Sequence, residues 1–472
     1  MADAGPGVAS WSNETWDVVI VGGGNAAVAA AMAADDDGAR VLILESAPQP
    51  MRGGNSRHTR NLRCVHRADD YNSGDYLYDE LWKDLCAVGN GPNDEELASF
   101  TVRDSETIPP WMTAHGARWQ QPLTGTLHLG RTNRFFLGGG KNLLNFYYRY
   151  LRTRPRVVVE YDARVVELEF EGNRCVAVIV EFGGSRHRVQ ARSVVAASGG
   201  FEANIEWLRR YWGDAVDNYI IRGTPFNDGH ILAQLFAAGA ASAGQERGFH
   251  AIAVDARAPK FDGGIATRLD TVPFGVVVNR DGERFYDEGE ELWPKRYAIW
   301  GRLIAEQPDQ IAYAFWDAKV NDLFLPPMYG TTSGDDVAAV ATKLGLDPKR
   351  VVATVASYNK TVVAGTLDPA RLDDCRTDGL VPPKSHWAQR VDVPPYYGVA
   401  MRTGVTFTYM GLKVRSDARV MREDGHSFDN VFAAGEIMSG NILSTGYLAG
   451  FGMTIGGVWG RQAGRQAARN GT

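Results

Sequence analysis

WDVVIVGGGNAAVAAAMAADDDGARVLILE, Trp16 to Glu45, is the stretch that decides the fold. Val18 to Val21 are continuously apolar and β-branched, the composition of a parallel strand buried on both faces. The run ends in Gly22-Gly23-Gly24-Asn25-Ala26-Ala27, the spacing G-x-G-x-x-A. Ala26 to Ala34 follow as an alanine-rich helix small enough to lie close against a sheet. Gly38 interrupts it, and Val41 to Leu44 form a second buried strand that ends in Glu45, with Ser46 beside it. Gly22 permits the tight turn, Gly24 lets backbone approach a pyrophosphate, and Ala27 lets helix and strand touch. The helix N-terminus at Asn25 and Ala26 offers free N–H groups and a positive dipole end to phosphates. Glu45 lies 23 residues after Gly22, where an acid accepts hydrogen bonds from a ribose diol and repels a 2′-phosphate. Strand, turn, helix, second strand and terminal acid agree on a dinucleotide site.

Outward from this unit, the chain is long enough for two or three domains at 472 residues. Its hydrophobic fraction of 44% and charged fraction of 22% are those of an ordinary soluble enzyme. A net charge of −6 indicates neither nucleic acid nor an anionic membrane as partner. No stretch approaches the length of a membrane span, so no direct insertion is expected. Residues 1–15 read as a disordered leader without the basic start and apolar core of a secretory signal. Cys64, Cys86, Cys175 and Cys375 are far apart and read as reduced, mostly structural thiols of a cytoplasmic protein. No spacing suggests a metal site.

Met51 to Asn61 is a glycine turn followed by a dense basic cluster. Residues 93–115 read as a helix starting near Asn93, and 142–152 as another after Gly138-Gly139-Gly140. Strand patterns cover 157–161, 164–170 and 175–182, with Glu171-Gly172-Asn173 as a hairpin turn, and 193–197 runs into Ser198-Gly199-Gly200. The texture changes between Gly244 and about residue 380, where tryptophans, the strand 275–278, the turn Asn279-Arg280-Asp281-Gly282 and helical patterns at 297–306 and 335–344 suggest an inserted domain. After Pro394-Pro395 the chain returns to strand and glycine patterns. It passes the strand and glycine turn Asn430 to Glu436, then Gly446 to Gly457, and closes on a helix at 458–468 with Arg461, Arg465 and Arg469 on a solvated face.

In this order the chain carries Gly22 to Glu45, Gly53-Gly54-Asn55-Ser56, Ala197-Ser198-Gly199-Gly200-Phe201, Asn227-Asp228-Gly229, Val278 to Phe285 and Ala433-Ala434-Gly435-Glu436. The set resembles the flavoproteins of the fumarate reductase, succinate dehydrogenase and 3-ketosteroid dehydrogenase superfamily. RGGNSRHTRN at 52–61, FYDEGEELWPKRYAIWG at 285–301 and GYLAGFGMTIGG at 446–457 look most like the FAD-dependent tricarballylate dehydrogenases within it. The resemblance implies an α/β plus α+β architecture. A Rossmann-type FAD-binding domain would be built from both ends of the chain (16–243 and 381–472), with an inserted α+β capping domain at 244–380. It assigns Gly22, Gly24, Asn25, Ala26, Ala27, Glu45, Ser46, Gly53, Gly54, Asn55, Ser56, Ser198, Gly199, Asp228, Gly435 and Glu436 to FAD. Asn55 and Ser56 would stand by the flavin ring. Covalently flavinylated members carry a histidine where Ser56 aligns, so non-covalent FAD is expected.

By the same resemblance the chemistry is desaturation of a C–C bond beside a carboxylate or carbonyl, tricarballylate to cis-aconitate being the first choice. Flavin N5 takes the hydride, a base takes the neighbouring proton, and donors stabilise the enolate-like charge. Fumarate reductases use an arginine shortly after their R-F-x-x-E segment, which points to Arg296, with Lys295 and Tyr297 beside it. An arginine there reads equally as a salt-bridge residue. Phe407 and Tyr447 stand where fumarate reductases carry a substrate histidine and arginine, so a simple C4-dicarboxylate site is doubtful. Tyr447 with a following glycine amide at Gly450 resembles the carbonyl clamp of ketosteroid dehydrogenases, and reads equally as a packed aromatic.

For an acidic substrate the cluster Arg57, His58, Arg60 and Arg63 offers guanidinium forks, His58 and Arg60 being the substrate candidates, although such residues also serve FAD phosphates or solvent. His250 aligns with a substrate-facing histidine of the capping domain; a lone histidine is more often a satisfied structural residue. Two other functions remain open: a flavin dehydrogenase of a cyclic ketone, sugar-like or natural-product substrate, and a non-catalytic flavin subunit. Without clustered cysteines or a second glycine-spaced nucleotide unit, electrons would pass to a separate acceptor: a membrane iron–sulfur and haem protein, a quinone or O₂.

Overall fold

The computed structural model describes residues 10–89, 91–122, 127, 129–261 and 263–470. Its first strand, Thr15–Val21, lies at the centre of an eight-stranded sheet, parallel to Val41–Leu44 on one side and to Ser185–Ala196 on the other. Val157–Glu160 extends the sheet in parallel beyond Val41–Leu44, and Ser427–Ala433 does so beyond Ser185–Ala196. Both ends of the chain thus supply strands to one sheet. The strands Arg164–Glu171 and Arg174–Phe182 add an antiparallel meander at the expected hairpin.

Part of the disordered leader expected over 1–15 is folded instead. Residues 1–9 lie outside the described residues, whereas Ser10–Asn13 forms a 3₁₀ turn and Trp11 is buried edge-on against Phe182. The helix expected from Asn93 starts at Glu95, with Asp94 accepting from the Leu97 N–H at 3.0 Å, and gives way to a second helix at Ile108–Ala114.

The last helix is longer than expected and runs from Phe451 to Asn470. Its glycines lower helix propensity and so read as loop, but they serve contact. Gly456, Gly460 and Gly464 face the alanine-rich helix Asn25–Asp36, and a Cβ at Gly460 would stand 2.5 Å from the Ala26 carbonyl oxygen. Arg461 is buried rather than solvated, 2.7 Å from Asp104.

A six-stranded sheet forms the second layer. Tyr396–Thr408 runs through it, pairing with Phe249–Asp255, Ile311–Asp317 and Thr332–Gly334 in antiparallel fashion and with Ile220–Ile221 in parallel; Val276–Asn279 lies on the far side of Ile311–Asp317. The sheet therefore reaches past the limits of 244 and 380 drawn from composition, because its longest strand comes from the returning chain. Alternation sets its two faces. Ala312, Ala314 and Trp316 join the main core, while Ile311, Tyr313 and Phe315 pack in a second core with Val340, Val351 and Val355 of the helices behind. Among the described residues no helix is long and apolar enough to cross a membrane.

Candidate active site

A cleft with about 1470 Å³ of empty volume lies between the two sheets and starts at the Gly22 turn. Gly22 has φ +112°, and a side chain there would meet the backbone of Ala197, so the crossing of the two parallel strands requires glycine. Asn25 and Ala26 open the first helix onto the cleft. Glu45 is 4% exposed, with one oxygen accepting from the Ala47 N–H at 2.9 Å and the other from the Gly53 N–H at 3.2 Å. Burial raises its pKa and these donors oppose the rise. Each oxygen retains lone pairs for a sugar hydroxyl. Ser46, Gly54, Asn55, Ser56, Ser198, Gly199, Asp228, Gly435 and Glu436 also line the cleft. Ala27 and Gly53 stand just behind it, Ala27 in the helix–sheet contact and Gly53 as the donor to Glu45. Helix N-terminus, glycine cradle and buried acid fit an adenine dinucleotide.

Two of these residues do more than border the cofactor. Ser56 Oγ accepts from the Asn25 N–H at 3.0 Å, so its hydroxyl stands at the helix end rather than free beside a ring. Asn55 has its amide committed, accepting from the Thr224 N–H at 2.8 Å and donating to the Thr406 carbonyl at 2.7 Å and to Glu202 at 2.5 Å.

At the other end of the cleft stand Arg60, Arg222, Arg268, His250, Tyr297, Phe407 and Tyr447. Arg222 is buried and Arg60 half-buried, and each has two guanidinium nitrogens without a hydrogen-bond partner. Burial, with the charge of Arg268 adding to it, lowers both to about 10, which leaves them cationic at neutral pH. Arg268 is paired with Asp270 at 2.6 Å and lies over the Tyr297 ring, 4.2 Å from its centroid. His250 stacks flat on Tyr447 at 4.0 Å and meets Tyr297 edge-on at 5.4 Å. Neither of its ring nitrogens has a partner, and burial, then Arg222 and Arg268, hold it neutral with a pKa well below the usual histidine value. Two uncompensated cations in a closed site call for an anionic ligand.

Sequence reading placed His58, Arg60, His250, Phe407, Gly450 and Tyr447 at this site, and all of them line the cleft. The amide that meets the Tyr447 hydroxyl belongs to Gly452 and donates at 2.8 Å. Gly452 is the second residue of the final helix, whose first-turn N–H groups have no helical acceptor. Burial raises the Tyr447 pKa, so the phenol stays protonated and keeps its O–H to donate.

Arg296 departs from its expected role. It does not line the cleft; its guanidinium takes Glu290 in a fork at 2.6 and 2.8 Å and also reaches the Tyr286 hydroxyl. Its neighbour Tyr297 turns inward instead. Arg296→Ala is therefore expected to leave turnover within about twofold of the parent and to cost no more than about 1 kcal/mol of stability, as for other half-exposed ion pairs; a tenfold loss in kcat would return Arg296 to the chemistry. Sequence reading missed Arg222, Arg268 and Glu202. Arg222 stands five residues before the Asn227 motif and Glu202 two after Gly200, so proximity to cofactor motifs was their only signal.

The family model described as FAD binding domain matches residues 17–452. NADH:fumarate oxidoreductase of Klebsiella pneumoniae is 26% identical over 474 residues, covering 97% of this chain and 48% of that protein, so the chain spans about half the length of that relative. Probable fumarate reductase Ifc3 of Shewanella frigidimarina is 26% identical over 493 residues, covering 98% of this chain and 76% of that one. The solved 3-ketosteroid-delta4-(5alpha)-dehydrogenase of Rhodococcus jostii superposes with a TM-score of 0.72 at 21% identity, over 98% of this chain and 99% of its own, a likeness of fold.

Proposed function

The chain belongs to the FAD binding domain family, and from that membership we propose an FAD-dependent dehydrogenase that introduces a double bond beside a carboxylate of a polycarboxylic acid, tricarballylate to cis-aconitate being the reaction that fits best. The observation that carries this reading is the pair Arg60 and Arg222, both lining the cleft with unpartnered guanidinium nitrogens.

Bound FAD supplies the hydride acceptor. The protein supplies the rest. Arg60 and Arg222 hold two substrate carboxylates, and the planar fork of each sets the orientation of the carbon chain between them. Arg268, already balanced by Asp270, adds field without a further net charge. The Tyr447 hydroxyl, aimed by the Gly452 N–H, donates to the oxygen on which enolate charge develops. The Tyr297 hydroxyl makes no hydrogen bond among the described residues, and as the phenolate, the form that burial disfavours, it would take the departing proton at its oxygen. Burial raises its pKa, while Arg268 and Arg222 oppose that rise and favour the phenolate. A separate electron acceptor, whether a membrane iron–sulfur and haem protein, a quinone or O₂, would reoxidise the cofactor.

The aromatic wall of Phe407, Tyr447, His250 and Tyr297 favours a second reading, a cyclic ketone polarised by Tyr447. One anaerobic experiment separates the two. The yellow protein is mixed singly with tricarballylate, citrate, succinate, a 3-ketosteroid and a sugar while the flavin band is followed. Bleaching by tricarballylate alone is expected; bleaching by the ketosteroid alone transfers the assignment to the second reading, and bleaching by none refutes both. Acid precipitation of the same protein is expected to release all of its flavin, and colour retained in the pellet would refute non-covalent attachment.

A further inference from the structure

Glu202 is fully buried behind the cleft wall, and Glu436 is partly buried on it. The two carboxyl groups meet above Gly200, where any side chain would strike Glu202, Glu436 and the Thr408 hydroxyl together. The donors around them are neutral. Asn55 and Asn227 side-chain amides donate to Glu202 Oε1 at 2.5 and 2.7 Å, and the Thr408 N–H donates to Glu436 Oε1 at 2.8 Å. Glu202 Oε2 has only Glu436 to face. Two carboxylates in contact, with no cation beside them among the described residues, do not readily both ionise, so one proton lies between them. Burial, then the charge of Glu202, raises Glu436 well above the carboxylate range, and burial raises Glu202 to about 7. Tyr447 is the further titratable group that Glu436 acts on, and it is neutral.

The pair sits where four pieces of the cofactor cleft join. Asn55 belongs to the glycine turn at 53–56 and also binds Thr224 and Thr406. Thr408 ends the long strand of the second sheet, and Glu436 follows the glycine turn of the first. We infer that Glu202 is a positioning residue for FAD: through one proton shared with Glu436 it knots these four segments into a single wall, and loss of that proton loosens the cofactor. The doubly ionised pair would push its own wall apart and add negative charge facing a ligand that already carries two phosphate charges. The sign of the pH effect follows. Both folded pKa values lie above the unfolded one, so the contribution is present in full below about 4.5; one proton departs near 7, and the shared one is lost only at the higher pH to which Glu436 is raised.

The inference rests on the cofactor and not on any substrate. Its test is FAD affinity, read from the fluorescence of released FAD between pH 6 and 10, for the native chain and for Glu202→Gln. The native Kd is expected to rise above pH 8, by up to about tenfold for each pH unit once the shared proton is released. In Glu202→Gln, an isosteric neutral partner, the Kd is expected to stay within about twofold over the same range. The infrared band of a protonated carboxyl is expected in the native chain at pH 6 and to fade over the same interval. A native Kd and carboxyl band that do not change with pH, or a Glu202→Gln profile that matches the native one, would overturn the assignment.

Discussion

Arg222→Ala is expected to raise the KM for tricarballylate about a hundredfold, with a much smaller change in kcat. The substitution removes a charge-assisted fork from a buried site, a loss of about 2–3 kcal/mol of binding, and each 1.4 kcal/mol is a factor of ten. The effect falls on KM because the carboxylate is held equally before and during the reaction. Arg222→Lys keeps the charge but not the planar pair of donors and is expected to recover only part of the loss. Steady-state kinetics with an artificial electron acceptor reads all of this. A ketone substrate without carboxylates would leave KM unchanged in both variants, and that outcome would remove the anion-binding role from the cleft.

The largest effect on folding is expected from Gly460→Val. Only a hydrogen on Gly460 fits between the two helices, because a Cβ would lie 2.5 Å from the Ala26 carbonyl oxygen and 2.8 Å from Ala29 Cβ. Valine adds two further methyl groups and must separate backbones in direct contact. Overpacking of this kind costs about 3 kcal/mol or more. The alanine-rich helix it pushes on opens onto the cofactor cleft at Asn25 and Ala26, so flavin content should fall with stability. Thermal melting and the flavin-to-protein absorbance ratio measure both losses; a variant with parental melting temperature and full flavin would show that the helices do not pack as described.

How much of this was legible in the sequence follows from the range of each interaction. The opening strand, turn and helix were readable residue by residue, because turn glycines, strand branching and helix propensity all act within a few positions. Tyr396–Thr408 looked like part of the returning FAD domain, since its apolar alternation cannot say which sheet it joins. The final helix looked seven residues shorter at its start than it is, because the glycines that break a helix in isolation are those a close partner helix demands. In the site, Arg60 stood out in a dense basic cluster, whereas Arg222 and Arg268 occur singly among apolar neighbours. Arg296 was chosen by counting from Arg284. The chain turns a 3₁₀ corner at Tyr297–Ile299, and that corner sends Tyr297 inward and leaves Arg296 with Glu290. Counting along a sequence does not reveal a corner.

The embrace of the alanine-rich helix by the final one also sets a timetable. Asn25–Asp36 is buried at all but its last position, yet one of its principal covers, Phe451–Asn470, is made roughly 400 residues after it. At ribosomal speeds of about 5–20 residues per second, some 20–90 seconds pass before the cover emerges. Through that interval the nascent polypeptide carries a bare apolar helix and an unfinished nucleotide cradle. The cofactor-binding layer closes only when that cover arrives, and a chaperone that shelters Asn25–Asp36 would have to wait for Phe451–Asn470.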